Sequence, residues 1–307
     1  MNGMKYLGAI AVTALTMGSA SAFTIGYSSP NFDDNYQTIM REAAKAHAES
    51  LGHEILIEDA REDVGTQLSQ IQNFIASGVD AIVLAPVSTE ATPPITELAK
   101  AAGIPLVYIN RRPVDIEQLG GMSTYVGSDN YLAGKLEGEA ACALAGGEGS
   151  AVILIGFLRN EDAQNRTKAV KDVLATDACK GIELLAEQEG EWQRTKGADI
   201  VANWLASGVK PSIVLANNDE MALGAIQALK GAGIGMDDVI VAGIDATPDA
   251  LVAMEAGDLD VTVFQDAEGQ AKGGVDAALA MIGDAEQQAY IDIPFITVTN
   301  ENLADFK

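Results

Sequence analysis

Polar side chains with complementary hydrogen-bonding chemistry recur directly after the short apolar runs of this sequence. In chain order they are Asp34, Asn110, Arg111, Asp162, Arg166, Asn218, Asp245 and Gln265. Carboxylates accept hydrogen bonds, guanidinium groups donate them, and carboxamides do both. The set therefore matches a neutral ligand rich in hydroxyl groups, each of which donates and accepts. Tyr36 and Trp192 could cover the apolar faces of a ring, although Trp192 could equally lie in a core.

Enzymatic chemistry has weaker support in the sequence. The two histidines, His47 and His53, lie on or just past the first predicted helix, so a His-assisted nucleophile is unsupported. Neither a G-x-S-x-G elbow nor a phosphate-binding G-x-x-x-x-G-K-[ST] loop occurs. The glycines at 231–235 follow a predicted helix and not a strand, which favours a helix end and turn. Paired carboxylates such as Asp162 and Asp245 leave a polyol-acting enzyme as a remote alternative. We predict no catalytic residue and no cofactor.

Several of these polar residues also have a purely structural interpretation. Asp162 and Arg166 are four residues apart and could form a surface pair on one helix. Asp34 could cap the first helix. We assign the capping of the helix that begins near residue 219 to Asp219, which leaves Asn218 free to face a site. Because polar clusters follow six different strands, a shared site is favoured over six unrelated structural roles.

Short apolar runs alternate with longer segments that have apolar residues at helical spacing. The predicted strands are residues 23–27, 54–58, 81–84, 105–109, 124–126, 151–155, 182–186, 212–215, 239–242 and 261–264. The clearest helices are residues 36–51, 65–77, 94–102 and 219–231. This alternation, with continuously apolar strands, predicts an α/β fold of parallel sheets covered on both faces. Ligands bind beyond the carboxyl ends of such strands, which is where the polar residues stand.

A break in the strand–helix rhythm at residues 123–130 predicts two Rossmann-like lobes with parallel sheets and a hinge. We expect the N-terminal lobe to comprise residues 23–129 and 267–295, because residues 270–281 have the pattern of a covering helix. The C-terminal lobe then comprises residues 130–266 and 296–307. Several chain crossings between the lobes create a cleft that can open and close.

The first 22 residues have the features of a secretory signal peptide with cleavage after Ala22. A short basic start precedes an apolar run at 6–18 that is too short to span a bilayer, followed by small residues at 20–22. In an oxidising compartment Cys142 and Cys179 are expected to form a disulfide, the alternative being two buried thiols. The net charge of -25, from 19 basic and 44 acidic residues, argues against a nucleic-acid partner.

The same residues resemble the ribose/galactose-type periplasmic sugar-binding proteins of ABC importers, over essentially the whole mature chain. Residues 32–36 are similar to a motif whose acid and aromatic residue touch the sugar, which implies Asp34 and Tyr36. Residues 104–113 resemble the segment that ends in Asn and a basic residue, which implies Asn110 and Arg111. Residues 215–222 are the most specific match and imply Asn218.

The resemblance continues through the second half of the chain. The spacing of Asp162 and Arg166 matches that of the family, and Trp192 stands where the family places a stacking Trp. Residues 243–248 imply Asp245, and residues 263–266 imply Gln265. The galactose-binding branch has a calcium loop in its second lobe, but the connection at 145–150 is too short for one, so we predict no metal.

This resemblance implies the type I periplasmic binding protein fold, a periplasmic location and binding of a sugar or cyclitol between the lobes. The sequences at 109–113 and 263–266 look most like those of inositol-type binders, and myo-inositol is the preferred ligand. Galactose, glucose and ribose are the alternatives. The implied partners are an ABC permease in the inner membrane and, as a further option, a chemoreceptor; we expect a monomer. LacI-type repressors share the fold but begin with a DNA-binding helix-turn-helix, where this chain has a signal sequence.

Overall fold

The structure, a computed structural model, describes residues 22–307, so all but the last residue of the predicted signal peptide at 1–22 lies outside the described residues. The strands are β1 (Thr24–Ser29), β2 (Glu54–Asp59), β3 (Ala81–Leu84), β4 (Leu106–Ile109), β5 (Ser123–Gly127), β6 (Glu148–Ile155), β7 (Gly181–Glu189), β8 (Ile213–Ala216), β9 (Ile240–Asp245), β10 (Val261–Phe264), β11 (Tyr290–Asp292) and β12 (Ile296–Val298). The helices are α1 (Asn35–Ser50), α2 (Val64–Ser77), α3 (Thr92–Ala102), α4 (Asn130–Leu144), α5 (Glu161–Leu174), α6 (Arg194–Ala206), α7 (Asp219–Gly231), α8 (Pro248–Glu255) and α9 (Ala267–Ile282).

The strands form two six-stranded sheets. The first has the order β11-β5-β4-β3-β1-β2 and the second the order β12-β10-β9-β8-β6-β7. Every pairing is parallel except that of β12 with β10, which is antiparallel. The predicted α/β class with parallel sheets is confirmed, and all ten predicted strands are present. The sequence pattern missed β11 and β12, because a three-residue edge strand is too short to show a period.

Hydrophobic side chains cover both faces of each sheet. On one face of the first sheet, α9 packs its buried Val275 and Met281 into the same cluster as Val107 of β4 and Val126 of β5. This helix comes late in the chain, yet its partners are the first strands. The chain therefore passes between the two sheets three times: after β5, after β10, and between β11 and β12.

A disulfide joins Cys142, near the end of α4, to Cys179, just before β7. The predicted pairing is confirmed. Both residues lie at the edge of the second sheet where its parallel strands begin, whereas the polar clusters follow the ends of the strands. Within residues 22–307, no helix combines the length and apolar character needed to cross a membrane.

Candidate ligand-binding site

All ten side chains predicted from the sequence line a single cavity where the carboxyl ends of the two sheets meet. The first lobe contributes Asp34, Tyr36, Asn110 and Arg111; the second contributes Asp162, Arg166, Trp192, Asn218 and Asp245, and Gln265 follows β10 at a crossing. Gln37, which the sequence analysis did not single out, lines the cavity as well. In this arrangement the free space between these side chains is small. Their contact with a ligand stays a prediction.

Asp34 and Tyr36 reach the cavity from the start of α1. Asp34 is the N-cap of that helix, and its Oδ1 accepts a hydrogen bond from the Gln37 backbone N–H at 2.9 Å. The capping role considered for Asp34 is thus real, and it places the carboxylate at the cavity wall. Burial raises the pKa of Asp34 above its usual value, and the bond from Gln37 opposes that shift.

Asn110 and Arg111 follow β4 and are held by backbone contacts. Asn110 has a φ of 63°, in the left-handed region, and its carbonyl accepts a hydrogen bond from the Tyr125 hydroxyl at 2.8 Å. The buried Arg111 donates from Nη1 to the Pro86 carbonyl at 3.0 Å and pairs with Glu62 at 3.3 Å. Contacts within the first lobe therefore hold both residues, and preorganisation of this kind lowers the entropy cost of binding.

Arg166 on α5 is the most extensively bonded side chain of the site. Its Nε donates to Asn130 Oδ1 at 2.8 Å, Nη1 to the Asn217 carbonyl at 2.7 Å, and Nη2 to Gln265 Oε1 at 3.0 Å. The guanidinium lies 3.9 Å from Asp245 and is almost entirely buried. A planar donor with several fixed partners holds one orientation, so Arg166 presents a rigid surface to the cavity.

Arg166 also contacts all three segments in which the chain crosses between the sheets. Asn130 follows the first crossing, and Gln265 lies in the second. The ring of Phe295, in the third crossing, is centred 5.8 Å from the Arg166 guanidinium carbon. One side chain of the cavity wall is therefore linked to all three crossings.

Two buried carboxylates flank Arg166. Asp162 accepts hydrogen bonds from Asn130 Nδ2 at 2.9 Å and, across the cleft, from the Arg112 backbone N–H at 3.3 Å. Burial raises the pKa of Asp162 to about 6, against the attraction of Arg166. Burial likewise raises the pKa of Asp245 well above its usual value, and the nearby Arg166 charge opposes this. Asp162 and Arg166 are both buried, so the interpretation of these two residues as a surface pair on one helix is excluded.

We predict a pH-dependent stability from Asp162. Its pKa is 3.8 when exposed and about 6 when folded, so the folded chain keeps a proton that the unfolded chain has lost between these values. Its stabilising contribution is present below pH ~4 and is lost as the pH rises through ~6, a change of roughly 3 kcal/mol. The free energy of unfolding of the ligand-free protein is measured from pH 4 to pH 7. Over this range wild type should lose roughly 3 kcal/mol more than Asp162→Asn. Parallel curves for the two proteins would contradict the assignment.

The cap of α7 is Asn218 and not Asp219, to which the sequence analysis assigned it. Asn218 is the N-cap of α7, accepting a hydrogen bond from the Met221 backbone N–H at 3.1 Å. Asp219 is fully buried and accepts from the Thr247 backbone N–H at 2.8 Å and the Thr262 hydroxyl at 2.7 Å. The prediction that Asp219 caps the helix was wrong, because its carboxylate ties α7 to the segments around β9 and β10. Asn218 caps and lines the cavity at once.

Trp192 packs closely against the backbone beyond β6. A Cβ added to Gly156 would stand 2.2 Å from carbons of the indole ring, so only glycine allows the ring to lie there. Trp192 itself has a φ of 64°. Asn110, Trp192 and Asp245 all have left-handed φ angles, and such strained backbone conformations concentrate at binding sites, where the surrounding structure enforces them.

We expect Gly156→Ala to weaken ligand binding about tenfold or more, because the new methyl group displaces the Trp192 ring and overpacking costs ~1–3 kcal/mol. The matched control is Gly231→Ala at the end of α7, where no atom lies within 4 Å of the added Cβ. Isothermal titration of both variants measures the effect. Equal affinities would show that the ring position does not matter for binding.

Several polar atoms of the lining have no hydrogen-bond partner among residues 22–307. They are the Tyr36 hydroxyl, Gln37 Oε1, Trp192 Nε1 and Gln265 Nε2. An unpaired buried polar group costs ~1–3 kcal/mol, so such groups are ordinarily satisfied. Two donors, one acceptor and one hydroxyl on side chains that line the same cavity are the complement of a polyhydroxylated ring.

Polar contacts also join the two lobes around the rim of the cavity. Glu62 of the first lobe pairs with Arg159 of the second at 2.6 Å. Asn35 Nδ2 donates to Glu220 Oε1 at 2.8 Å, and the Glu161 backbone N–H donates to the Thr89 hydroxyl at 3.0 Å. The structure is thus a closed arrangement. The sequence analysis missed these pairs, because no spacing along the chain relates residues on opposite lobes.

Comparisons with known proteins agree with this architecture. The sequence profile of the periplasmic binding protein domain matches residues 25–286. A Rhizobium meliloti protein described as rhizopine-binding is 52% identical over 99% of this chain and 98% of its own length. A xylitol-binding protein of Mycolicibacterium smegmatis is 32% identical, over 99% of this chain and 89% of its own.

A solved structure shows the same fold. The ABC transporter solute-binding protein of Bacillus halodurans with bound myo-inositol superimposes with a TM-score of 0.86 and 38% identity, covering 94% of this chain and 99% of that protein. The resemblance to ribose/galactose-type binding proteins is thereby confirmed. This chain belongs to the periplasmic binding protein family, a family of solute-binding proteins and not of enzymes.

Proposed function

We propose that this protein is the periplasmic solute-binding component of an ABC importer and binds a neutral cyclitol, with myo-inositol the preferred ligand. The observation that carries the proposal is the single cavity lined by hydrogen-bonding side chains from both lobes. Its polar lining suits a ring that carries hydroxyl groups around its whole circumference.

Similarity supports a cyclitol over other polyols. The 38% identical structure from Bacillus halodurans contains myo-inositol, and the 52% identical relative is described as rhizopine-binding. A rhizopine is therefore the second candidate ligand. Galactose, glucose and ribose follow, since ribose import binding proteins such as that of Escherichia coli are 29% identical.

We propose that binding proceeds by closure of two lobes. The N-terminal lobe comprises residues 23–129 and 267–295, and the C-terminal lobe residues 130–266 and 296–307. A ligand stabilises the closed form through contacts that only the closed form offers, which shifts the population towards it. Arg166 is central to this step, because it contacts the cavity and all three crossings.

The remaining parts of the proposal concern location and partners. Residues 1–22 direct the chain to the periplasm as a signal peptide, and the monomeric, ligand-bound protein docks on an inner-membrane permease. A chemoreceptor is an additional partner that would read the same closed form. We propose no catalytic activity, so the ligand leaves the cavity chemically unchanged.

A ligand screen tests the proposed function. Purified mature protein is heated in the presence of inositols, a rhizopine, hexoses and pentoses, and the ligands that raise Tm are titrated by calorimetry. A ligand at 100 times its Kd stabilises a folded protein by ~2.7 kcal/mol. We expect the largest shift with myo-inositol or the rhizopine, one site per chain, and unchanged ligand by NMR. Absence of any shift with cyclitols, or their chemical conversion, would contradict the proposal.

A further inference from the structure

Gln37 is a buried residue of the cavity wall whose amide has one free end. It is the third residue of α1, and its side chain is 3% exposed. Its Nε2 donates a hydrogen bond of 2.8 Å to Asn110 Oδ1. Its Oε1 has no hydrogen-bond partner within residues 22–307. The donor end of the amide is therefore in use, and the end left for a ligand is an acceptor.

The partner of Gln37 is itself held in place. The Asn110 backbone N–H donates to the Val126 carbonyl at 3.2 Å, and its carbonyl accepts from the Tyr125 hydroxyl at 2.8 Å. The left-handed φ of 63° sets the direction of the Asn110 side chain relative to β4. Two neighbouring amides, one anchored through its backbone, form a preorganised pair at the cavity wall.

We propose that Gln37, oriented by Asn110, is a specificity-determining residue that requires a hydrogen-bond donor on the ligand. This inference rests on the proposed binding of a cyclitol and deepens it. An acceptor-only atom placed against Gln37 Oε1, such as the ring oxygen of a pyranose, leaves two oxygens facing each other without a proton. Every ring carbon of an inositol carries a hydroxyl, so an inositol always presents a donor there. Gln37 thus discriminates against sugars that place the ring oxygen at this point.

The expected size of the effect follows from the cost of an unpaired buried group. Leaving Gln37 Oε1 without a donor in the closed cavity costs ~1–3 kcal/mol, equivalent to about 5- to 150-fold in Kd. Sites built to bind a substrate hydroxyl reject analogues without it for this reason. Among the mono-deoxy inositols, those lacking the hydroxyl that faces Gln37 should lose affinity by this factor.

The test is a double-mutant cycle between protein and ligand, measured by titration calorimetry. Gln37→Met keeps the length of the side chain and removes the acceptor. Wild type and Gln37→Met are each titrated with myo-inositol and with every mono-deoxy isomer. We expect Gln37→Met to bind myo-inositol about 5- to 150-fold more weakly than wild type does. For the deoxy isomer that lacks the hydroxyl facing Gln37, wild type should lose affinity relative to myo-inositol, whereas Gln37→Met should bind that isomer and myo-inositol equally well.

A matched control separates recognition from folding. Gln70 is a buried glutamine of the same lobe whose amide bonds to Ser28 and the Asp59 carbonyl and which does not line the cavity. Gln70→Met should lower the stability of the ligand-free protein while leaving the pattern of deoxy-isomer affinities as in wild type. Circular dichroism confirms that each variant is folded at the titration temperature.

The outcomes distinguish this inference from the proposed function. If wild type binds cyclitols and Gln37→Met binds every one of them with wild-type affinity, the specificity role is wrong and the proposed function stands. The role is also wrong if, for every deoxy isomer, the binding free energy lost through Gln37→Met and the binding free energy lost through removal of the hydroxyl are fully additive. If wild type binds no cyclitol at all, the proposed function is wrong, and this inference, which rests on it, is wrong as well.

Discussion

Arg166→Met is expected to weaken ligand binding by about 2–5 kcal/mol, or roughly 30-fold to several thousand-fold. The change removes a guanidinium that donates to Asn130, Asn217 and Gln265 and lies 3.9 Å from Asp245. The ligand then contacts a flexible methionine side chain in place of a guanidinium that is held in one orientation. The hinge also loses the side chain that contacts all three crossings, so closure of the two lobes is less favourable. Titration calorimetry measures the loss of affinity directly.

Folding has to be separated from binding in this experiment. Removing one partner of a buried ion pair typically destabilises a protein by ~3–5 kcal/mol, because the other charge stays buried alone. The double variant Arg166→Met/Asp245→Asn removes the stranded charge and should recover part of that stability without recovering binding. Wild-type affinity in either variant would remove Arg166 from the site, and wild-type ligand-induced stabilisation would do the same.

Loss of the disulfide is expected to have the second largest effect, on stability and not on binding. The bond closes a loop with a sequence separation of 37 residues, and the chain-entropy relation gives about 4 kcal/mol for a loop of that length. Cys142→Ala/Cys179→Ala should therefore unfold at markedly lower urea concentration. Ligand affinity should stay within about twofold, because the bond lies where the strands of the second sheet begin and the cavity lies where they end.

The disulfide and Arg166 variants control for each other. The first is expected to lose stability and keep affinity at temperatures where it is folded, whereas the second loses affinity. A double-Ala variant with wild-type urea resistance would show that the bond does not limit unfolding. One with greatly weakened binding would show that the second lobe depends on the bond for the geometry of its site.

The fold could be predicted from the sequence because its strands are buried on both faces. Such strands appear as continuous apolar runs between amphipathic helices, and β3, β6 and β8 are clear examples. β11 and β12 could not be found in this way. Each has three residues at a sheet edge, and their pairing depends on partners more than thirty residues away along the chain.

The site was predictable for a related reason. Parallel strands deliver the residues that follow them to one edge of the sheet, so a polar residue after a buried strand is placed by topology. Gln37 escaped notice because it lies inside α1, where a buried glutamine resembles any other helical residue. The cap of α7 was assigned to Asp219 and not to Asn218 because both residue types cap helices well. Only the positions of Thr247 and Thr262 in three dimensions decide between them.

The most direct test of the two-lobe binding site is a crystal structure of the mature protein grown with saturating myo-inositol or a rhizopine. We predict one ligand molecule between the lobes, within hydrogen-bonding distance of Asp34 or Asn110 on one side and of Arg166 or Asp245 on the other. Density for the ligand at any other place, or contacts confined to one lobe of a closed molecule, would contradict the account.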